Sequence, residues 1–208
     1  LRARTANGDN DVLNEGRTYA TVKGWDYSLG FGATFEAIPQ KLWIGASYQS
    51  RPNLGTPMAL KGTFEQNLNG VRGTRDVRIE QNLPDIIRLG LRFKAHPRLE
   101  ARLFGDYSRW SAVERMCLYS RNGSCDVNAD GSSVNGGDPI QNIPRNWKDA
   151  FGVRVGASYW IVPEVELQAG AGYDSNAIPS ANMDPALMDF KKVNFALGGR
   201  FRLIRQLY

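Results

Sequence analysis

The sequence predicts an all-β protein, a transmembrane antiparallel up-and-down β-barrel, and three observations carry that prediction. Long segments alternate apolar and polar residues with period two. Tight proline-bearing turns take turns with longer polar connections, as in barrels with short periplasmic turns and long external loops. Aromatic residues recur at fixed distances from the prolines.

Residues 17–37 give the first strand. Tyr19, Trp25, Tyr27, Leu29, Phe31, Ala33 and Phe35 make one face, and Asp26, Ser28, Gly30, Gly32, Thr34 and Glu36 the other. Leu42, Ile44, Ala46 and Tyr48 then alternate with Trp43, Gly45, Ser47 and Gln49, and the pattern continues towards Phe64 with an interruption near Pro52 and Pro57. Within 77–94, Ile87, Leu89, Leu91 and Phe93 oppose Arg88, Gly90, Arg92 and Lys94. Within 98–113, Leu99, Ala101, Leu103 and Tyr107 oppose Glu100, Arg102, Phe104, Asp106 and Trp110. The segment 151–174 makes two strands broken at Pro163, with Phe151, Val153, Val155, Ala157 and Tyr159, then Val165, Leu167, Ala169, Ala171 and Tyr173, on the apolar side. Val193, Phe195, Leu197 and Phe201 mark the last.

Three turns are short: Ile38-Pro39-Gln40-Lys41, His96-Pro97-Arg98 and Val162-Pro163-Glu164. The connections near 67–76, 115–146 and 177–189 read as longer loops rich in Gly, Asn, Asp and Ser. Phe35, Phe93 and Tyr159 lie four residues before a turn proline, and Tyr48, Tyr107 and Tyr173 nine or ten after one. All six are on the apolar face. In a tilted barrel they form two belts bounding an outward apolar band about 25 Å tall, which places lipid against that face. A soluble β-sandwich, whose alternation would serve an internal core, is the competing reading.

The 208 residues read as one partial barrel domain, 1–208, in which 115–146 is a long extracellular loop. Seven full strands are expected, with 1–5 as the stub of another. Further strands beyond this sequence are therefore expected, because bacterial single-chain barrels normally have an even number.

Mean hydropathy is −0.41, and no apolar run approaches the roughly 18–20 residues of a membrane helix. The net charge is +5, yet its cations are spread along the chain without a basic helix or cluster, so no nucleic-acid partner is indicated. Cys117 and Cys125 fall in a polar segment and are expected to form a disulfide in a loop outside the cytoplasm. No enzyme is indicated. The single histidine, His96, sits in a tight turn where nothing converges on it, and a Ser-His mechanism needs its base within hydrogen-bond reach of the serine.

Several stretches resemble the FadL/TodX family of outer-membrane transporters for long-chain fatty acids and other hydrophobic compounds. They are NLPDIIRLGLRF (82–93), GDYSRWSAV (105–113), NWKDAFGVRVGASY (146–159) and GAGYDSNAIP (170–179), in the family's order and spacing. The resemblance implies a fourteen-stranded barrel of which this chain is the middle and later part, located in the outer membrane of a Gram-negative bacterium. It also implies passive transport of a hydrophobic small molecule, with membrane lipid and that ligand as partners. The family's N-terminal plug, with its Asn-Pro-Ala box, has no counterpart here. Where members often carry a second Leu-Pro-Asp, this chain has Leu187-Met188-Asp189.

The inward face carries Trp43, Phe104, Trp110 and Trp160 beside charged residues, and apolar walls with a few polar groups suit an apolar ligand's path. Filling space beneath a plug is the alternative. Arg88, Arg92, Lys94, Arg102, Arg154, Arg200 and Arg202 point inward by parity. Arg92, Arg102 and Arg154 are the candidates for holding a ligand carboxylate through paired hydrogen bonds. The alternative is a cross-strand charge ladder with Glu36, Glu100, Asp106 and Glu166. Asp126, Asn128 and Asp130 followed by Gly131 repeat the start of a calcium loop, with Ser132 offering its carbonyl and Asp138 one position late for the usual acidic ligand. The alternative reading of these residues is a polar surface loop tied by the disulfide. No cofactor is required beyond that candidate calcium. The rival function is a FadL-like barrel that acts as scaffold or adaptor of an envelope assembly, with protein partners on its extracellular loops.

Overall fold

The computed structural model describes residues 2–5, 16–68, 71–128, 134, 139–180, 183 and 187–202. They form two compact units, each built around one antiparallel sheet. Among the described residues no helix is long and apolar enough to cross a membrane.

The first unit comprises residues 1–27, 52–82 and 113–145. Its sheet runs β1(Arg2–Thr5), β2(Gly16–Lys23), β5(Met58–Leu68), β6(Val71–Gln81), β9(Arg115–Ser120), β10(Pro139–Pro144), in that spatial order. Alternation buries one face. Ala20, Phe64, Val77 and Leu118 form a core extended by Val22, Ile79 and Ile140. On the opposite face the chain returns after β9, and the disulfide Cys117–Cys125 packs with the buried Tyr119.

The second unit comprises residues 28–51, 83–112 and 146–208. Its seven-stranded sheet runs β3(Gly30–Ile38), β4(Leu42–Gln49), β7(Ile86–His96), β8(Leu99–Ser108), β11(Ala150–Val162), β12(Val165–Asp174), β13(Lys192–Phe201). Every neighbour is the next strand of this sheet in chain order, which is the up-and-down arrangement. Each proline turn closes a hairpin, and each hairpin carries a register shift at that end, between Glu36 and Ile38, Lys94 and His96, and Trp160 and Val162. Gln40 takes the left-handed turn conformation at φ 57°, and Lys41 N donates to the Ile38 carbonyl at 3.0 Å.

One face of this sheet is exposed and apolar, and the six aromatics occupy its two ends. Register brings Phe31 opposite Tyr48, Ile87 opposite Tyr48 and Tyr107, and Phe151 opposite Tyr107. Phe151 stacks against Tyr173 at 5.8 Å. Towards the proline turns, Phe93 lies between Leu42 and Ala101, and Tyr159 between Leu99 and Leu167. A greasy face bounded at both ends by aromatics fits a lipid-facing wall.

The structure corrects four expected boundaries. The long strands at 17–37 and 77–94 are each two strands, one per sheet, separated at 24–29 and 82–85, while the interruption expected near Pro52 and Pro57 falls at 50–57, between β4 and β5. Pro84 cannot donate to a ladder, and the 3-10 turn Pro52–Gly55 holds Asn53 and Leu54 at positive φ. The segment 67–76 belongs to the β5–β6 hairpin, paired as far as Leu68 opposite Val71. The segment 115–146 is more than a loop, since it supplies β9 and β10, paired to each other and through β9 to β6.

Candidate functional site

The polar face of the seven-stranded sheet is built by registry, because residues two apart share a face and cross-strand neighbours align in rows. One row reads Glu36, Trp43, Arg92, Arg102, Gly156, Gly170. The next reads Thr34, Gly45, Gly90, Phe104, Arg154, Gly172, Asn194, and a third Gly32, Ser47, Arg88, Asp106, Gly152, Asp174, Lys192.

Within these rows the arginines are held by carboxylates. Arg154 donates to Asp106 and Asp174, each at 2.6 Å, with its guanidinium 5.8 Å from the Phe104 ring centre. It thereby ties β8, β11 and β12 together. The clamp needs Gly152: a Cβ there would stand 2.7 Å from a carboxylate oxygen of both aspartates. Glu100 accepts from Arg92 at 2.7 Å and from Arg102 at 2.7 Å, and its side chain is only 2 % exposed. The Arg92 guanidinium also lies 4.7 Å over Trp43. Glu166 pairs with Arg200 at 2.6 Å and accepts from Gln168 at 2.9 Å. The ladder partners anticipated at Glu100, Asp106 and Glu166 are in place, whereas Glu36 turns to its own hairpin and accepts from Gln40 N.

Arg88 differs from Arg92, Arg102, Arg154 and Arg200. Its neighbour in register, Asp106, is engaged by Arg154, and Arg88 makes no ion pair among the described residues. It borders a concavity of about 350 Å³ whose floor is Gly32, Gly45 and Gly90, with Thr34, Ser47 and Phe104 around it. A second concavity, of about 480 Å³, lies at the proline-turn end and brings Trp160 together with Arg92, Lys94 and Glu100.

Of the candidate aromatics, Trp43, Phe104 and Trp160 stand on this face. Trp110 does not, because β8 ends at Ser108 and a 3-10 turn, Trp110–Ala112, follows. Trp110 instead meets Trp147 edge-on at 5.3 Å. Around that pair the quoted motifs converge. Asp85 accepts from Arg109 at 2.7 Å and lies 3.8 Å from Arg51. Asp149 accepts from the Tyr107 hydroxyl at 2.5 Å and from Ser111 N at 2.9 Å. Burial would raise the Asp149 carboxyl, but its bonds from Ser111 and Tyr107 outweigh this and hold it below the ordinary range. Asp189, in the variant Leu-Met-Asp, accepts from the amides of Ala177 and Ile178 at 2.6 and 3.2 Å. These acidic motif residues are clamps on strand ends.

Three residues of the candidate calcium set, Asp130, Ser132 and Asp138, lie outside the described residues. Asp126 accepts from Ser124 Oγ at 2.7 Å, and its carbonyl accepts from Val134 N at 2.9 Å. Asn128 stands two residues on in the same segment.

Residues 3–207 match the family model described as outer membrane protein transport protein (OMPP1/FadL/TodX). An outer-membrane protein of Neisseria meningitidis serogroup B is 23 % identical over 200 residues, covering 89 % of this chain and 41 % of its own. Among solved structures, a FadL homologue of Pseudomonas aeruginosa superposes with TM-score 0.73 at 17 % identity, over 92 % of this chain and 44 % of that one. The toluene transporter TodX of Pseudomonas putida gives TM-score 0.52 at 17 % identity, over 90 % and 44 %. The monoaromatic hydrocarbon channel CymD gives 0.58 at 14 %, over 93 % and 50 %. The chain thus spans about half the length of the relatives it matches. An apolar, aromatic-bounded outer wall, an ion-paired inner wall and a family match over nearly the whole chain agree: this chain is a transmembrane β-barrel segment of the Gram-negative outer membrane and belongs to the OMPP1/FadL/TodX family.

Proposed function

We propose that the full-length protein carries hydrophobic small molecules, long-chain fatty acids among them, across the outer membrane by passive movement along the inner wall of its barrel. The observation that supports this most is the company kept by the inward aromatics. Trp43, Phe104 and Trp160 line a wall whose charges, Arg92, Arg102, Arg154 and Arg200, are already matched by carboxylates. An apolar solute passing over these four paired arginines and the aromatic faces strips none of them of an unshared hydration shell, which would be costly. Energy input and a cofactor have no part in the reading.

For an acid, the carboxylate is met by Arg88, whose guanidinium faces a glycine-floored concavity beside Phe104. A guanidinium holds a carboxylate through parallel charge-assisted bonds. Arg92, Arg102 and Arg154 have that capacity committed to Glu100, Asp106 and Asp174.

The test is mass spectrometry of small molecules extracted from full-length protein purified in a detergent free of alkyl carboxylates. A hydrophobe near one per barrel, lost when Trp43, Phe104 and Trp160 are replaced by alanine, is the expected result. Arg88→Gln is expected to weaken retention of a fatty acid about tenfold and leave an alkane of equal length unaffected, in line with about 1.5 kcal/mol for a hydrogen bond to a charged group. An empty barrel that brings down a protein in fixed ratio would overturn transport in favour of a scaffold.

A further inference from the structure

The face of the first unit's sheet opposite its Ala20, Phe64, Val77 and Leu118 core carries three cations in one cross-strand row. Lys23 of β2 is directly opposite Lys61 of β5, which is directly opposite Arg78 of β6. Like charges so placed repel and destabilise a sheet unless something neutralises them. The nearest carboxylates in the pattern are the diagonal Asp76 and Glu80, and both are engaged elsewhere. Asp76 pairs with Arg121 at 3.1 Å, and Glu80 accepts from the Tyr119 hydroxyl. Among the described residues Lys23 and Lys61 form no ion pair, while Arg78 lies opposite the buried Tyr119 and bonds its hydroxyl, with Nε left buried and without a partner.

Protection of a sheet edge, a common use of lysine, does not explain the row. Lys61 and Arg78 are inside the sheet.

A second observation points to lipid. Trp25 and Tyr27 follow Lys23 in the chain with their rings at the surface, Trp25 at full exposure, and the membrane strand β3 begins seven residues after Lys23. Basic residues beside exposed tryptophan and tyrosine are the composition of a protein surface at the headgroup level of a bilayer.

We propose that the row Lys23–Lys61–Arg78 binds the phosphate of an anionic lipid headgroup in the outer membrane. Two ammonium groups and a guanidinium supply donors for several phosphate oxygens at once, and the phosphate removes the repulsion within the row. The assignment is independent of what the barrel transports.

The test uses full-length protein in phosphatidylcholine nanodiscs that contain a minor fraction of lipid A, either bis-phosphorylated or stripped of both phosphates. Native mass spectrometry after detergent exchange reads the retained lipid. Retention of the phosphorylated form only is expected, about thirty-fold weaker in K23Q/K61Q at the usual contribution of each near-surface cation. K23R/K61R, which keeps both charges, is expected to hold the lipid. Equal retention of the stripped lipid, or loss in both double variants or in neither, overturns the proposal. Displacement of the lipid by millimolar inorganic phosphate would also overturn it, since the row would then be a site for free phosphate.

Discussion

Arg88, Arg92, Arg102 and Arg154 share one face of the seven-stranded sheet, and contacts diagonal to the register decide which of them is paired. Glu100 sits opposite Lys94 and Ser158 in register, yet its carboxylate is taken by Arg92 and by Arg102 two positions along its own strand. Long guanidinium stems reach diagonally, and that reach depends on side-chain packing which a period-two pattern does not record. Gly152 is another such case, an ordinary strand glycine in the sequence and a cleared space for two aspartates in the structure. Tyr119 shows burial acting on a single group. Removal from water raises its hydroxyl above the ordinary tyrosine value, and its bond to Glu80 raises it further. A raised value means that the neutral form is favoured in the folded state. That stabilisation is complete below about pH 10, the unfolded value, and is lost as pH climbs through the folded one. Y119F should therefore lose less stability than the parent above about pH 10, followed by hydrogen exchange of β6 and β9; parallel alkaline profiles would refute this.

At the level of elements, the seven strands of the membrane sheet were legible because each proline turn punctuates an alternating run, and the hairpins 38–42, 96–99 and 162–165 fall where expected. The breaks at 24–29 and 82–85 were hidden, since Trp25, Tyr27 and Leu29 continue the alternation although no strand forms there. Alternation reports which side is greasy, whereas a strand is defined by hydrogen-bonded neighbours. β9 and β10 are six residues each and lie amid Gly, Asn and Asp, too short for the pattern to separate them from loop. Pairing in the first unit also depends on one small residue. A Cβ on Gly62 would stand 1.9 Å from the Thr21 carbonyl oxygen, a backbone atom that cannot swing aside. G62A is expected to cost about 1–3 kcal/mol, the usual range for overpacking, and to expose the β2 and β5 amides to exchange. Unchanged protection of those amides would show that the strands accommodate the methyl group.

For the molecule as a whole, the assignment of one face to lipid and the other to the barrel interior makes opposite demands on the same substitution. Leu103 is mid-strand on the outer face, between Leu91 and Val155. An arginine there should cost about 2–4 kcal/mol in a bilayer, whereas one on the interior side at Gln168 should cost close to nothing. Urea titration of full-length protein folded into vesicles measures both, and equal costs would contradict the orientation of the wall. The topology also carries a message about timing. Strands β5 and β6 leave the membrane sheet between β4 and β7, and β9 and β10 leave it between β8 and β11, yet the two excursions are sewn together where residues 77–81 of β6 meet 116–120 of β9. That seam has both of its halves only once the chain has been threaded past β7 and β8. The seam therefore forms only after β9 has been delivered, and a cross-link across it would report whether an assembling barrel has progressed beyond β8.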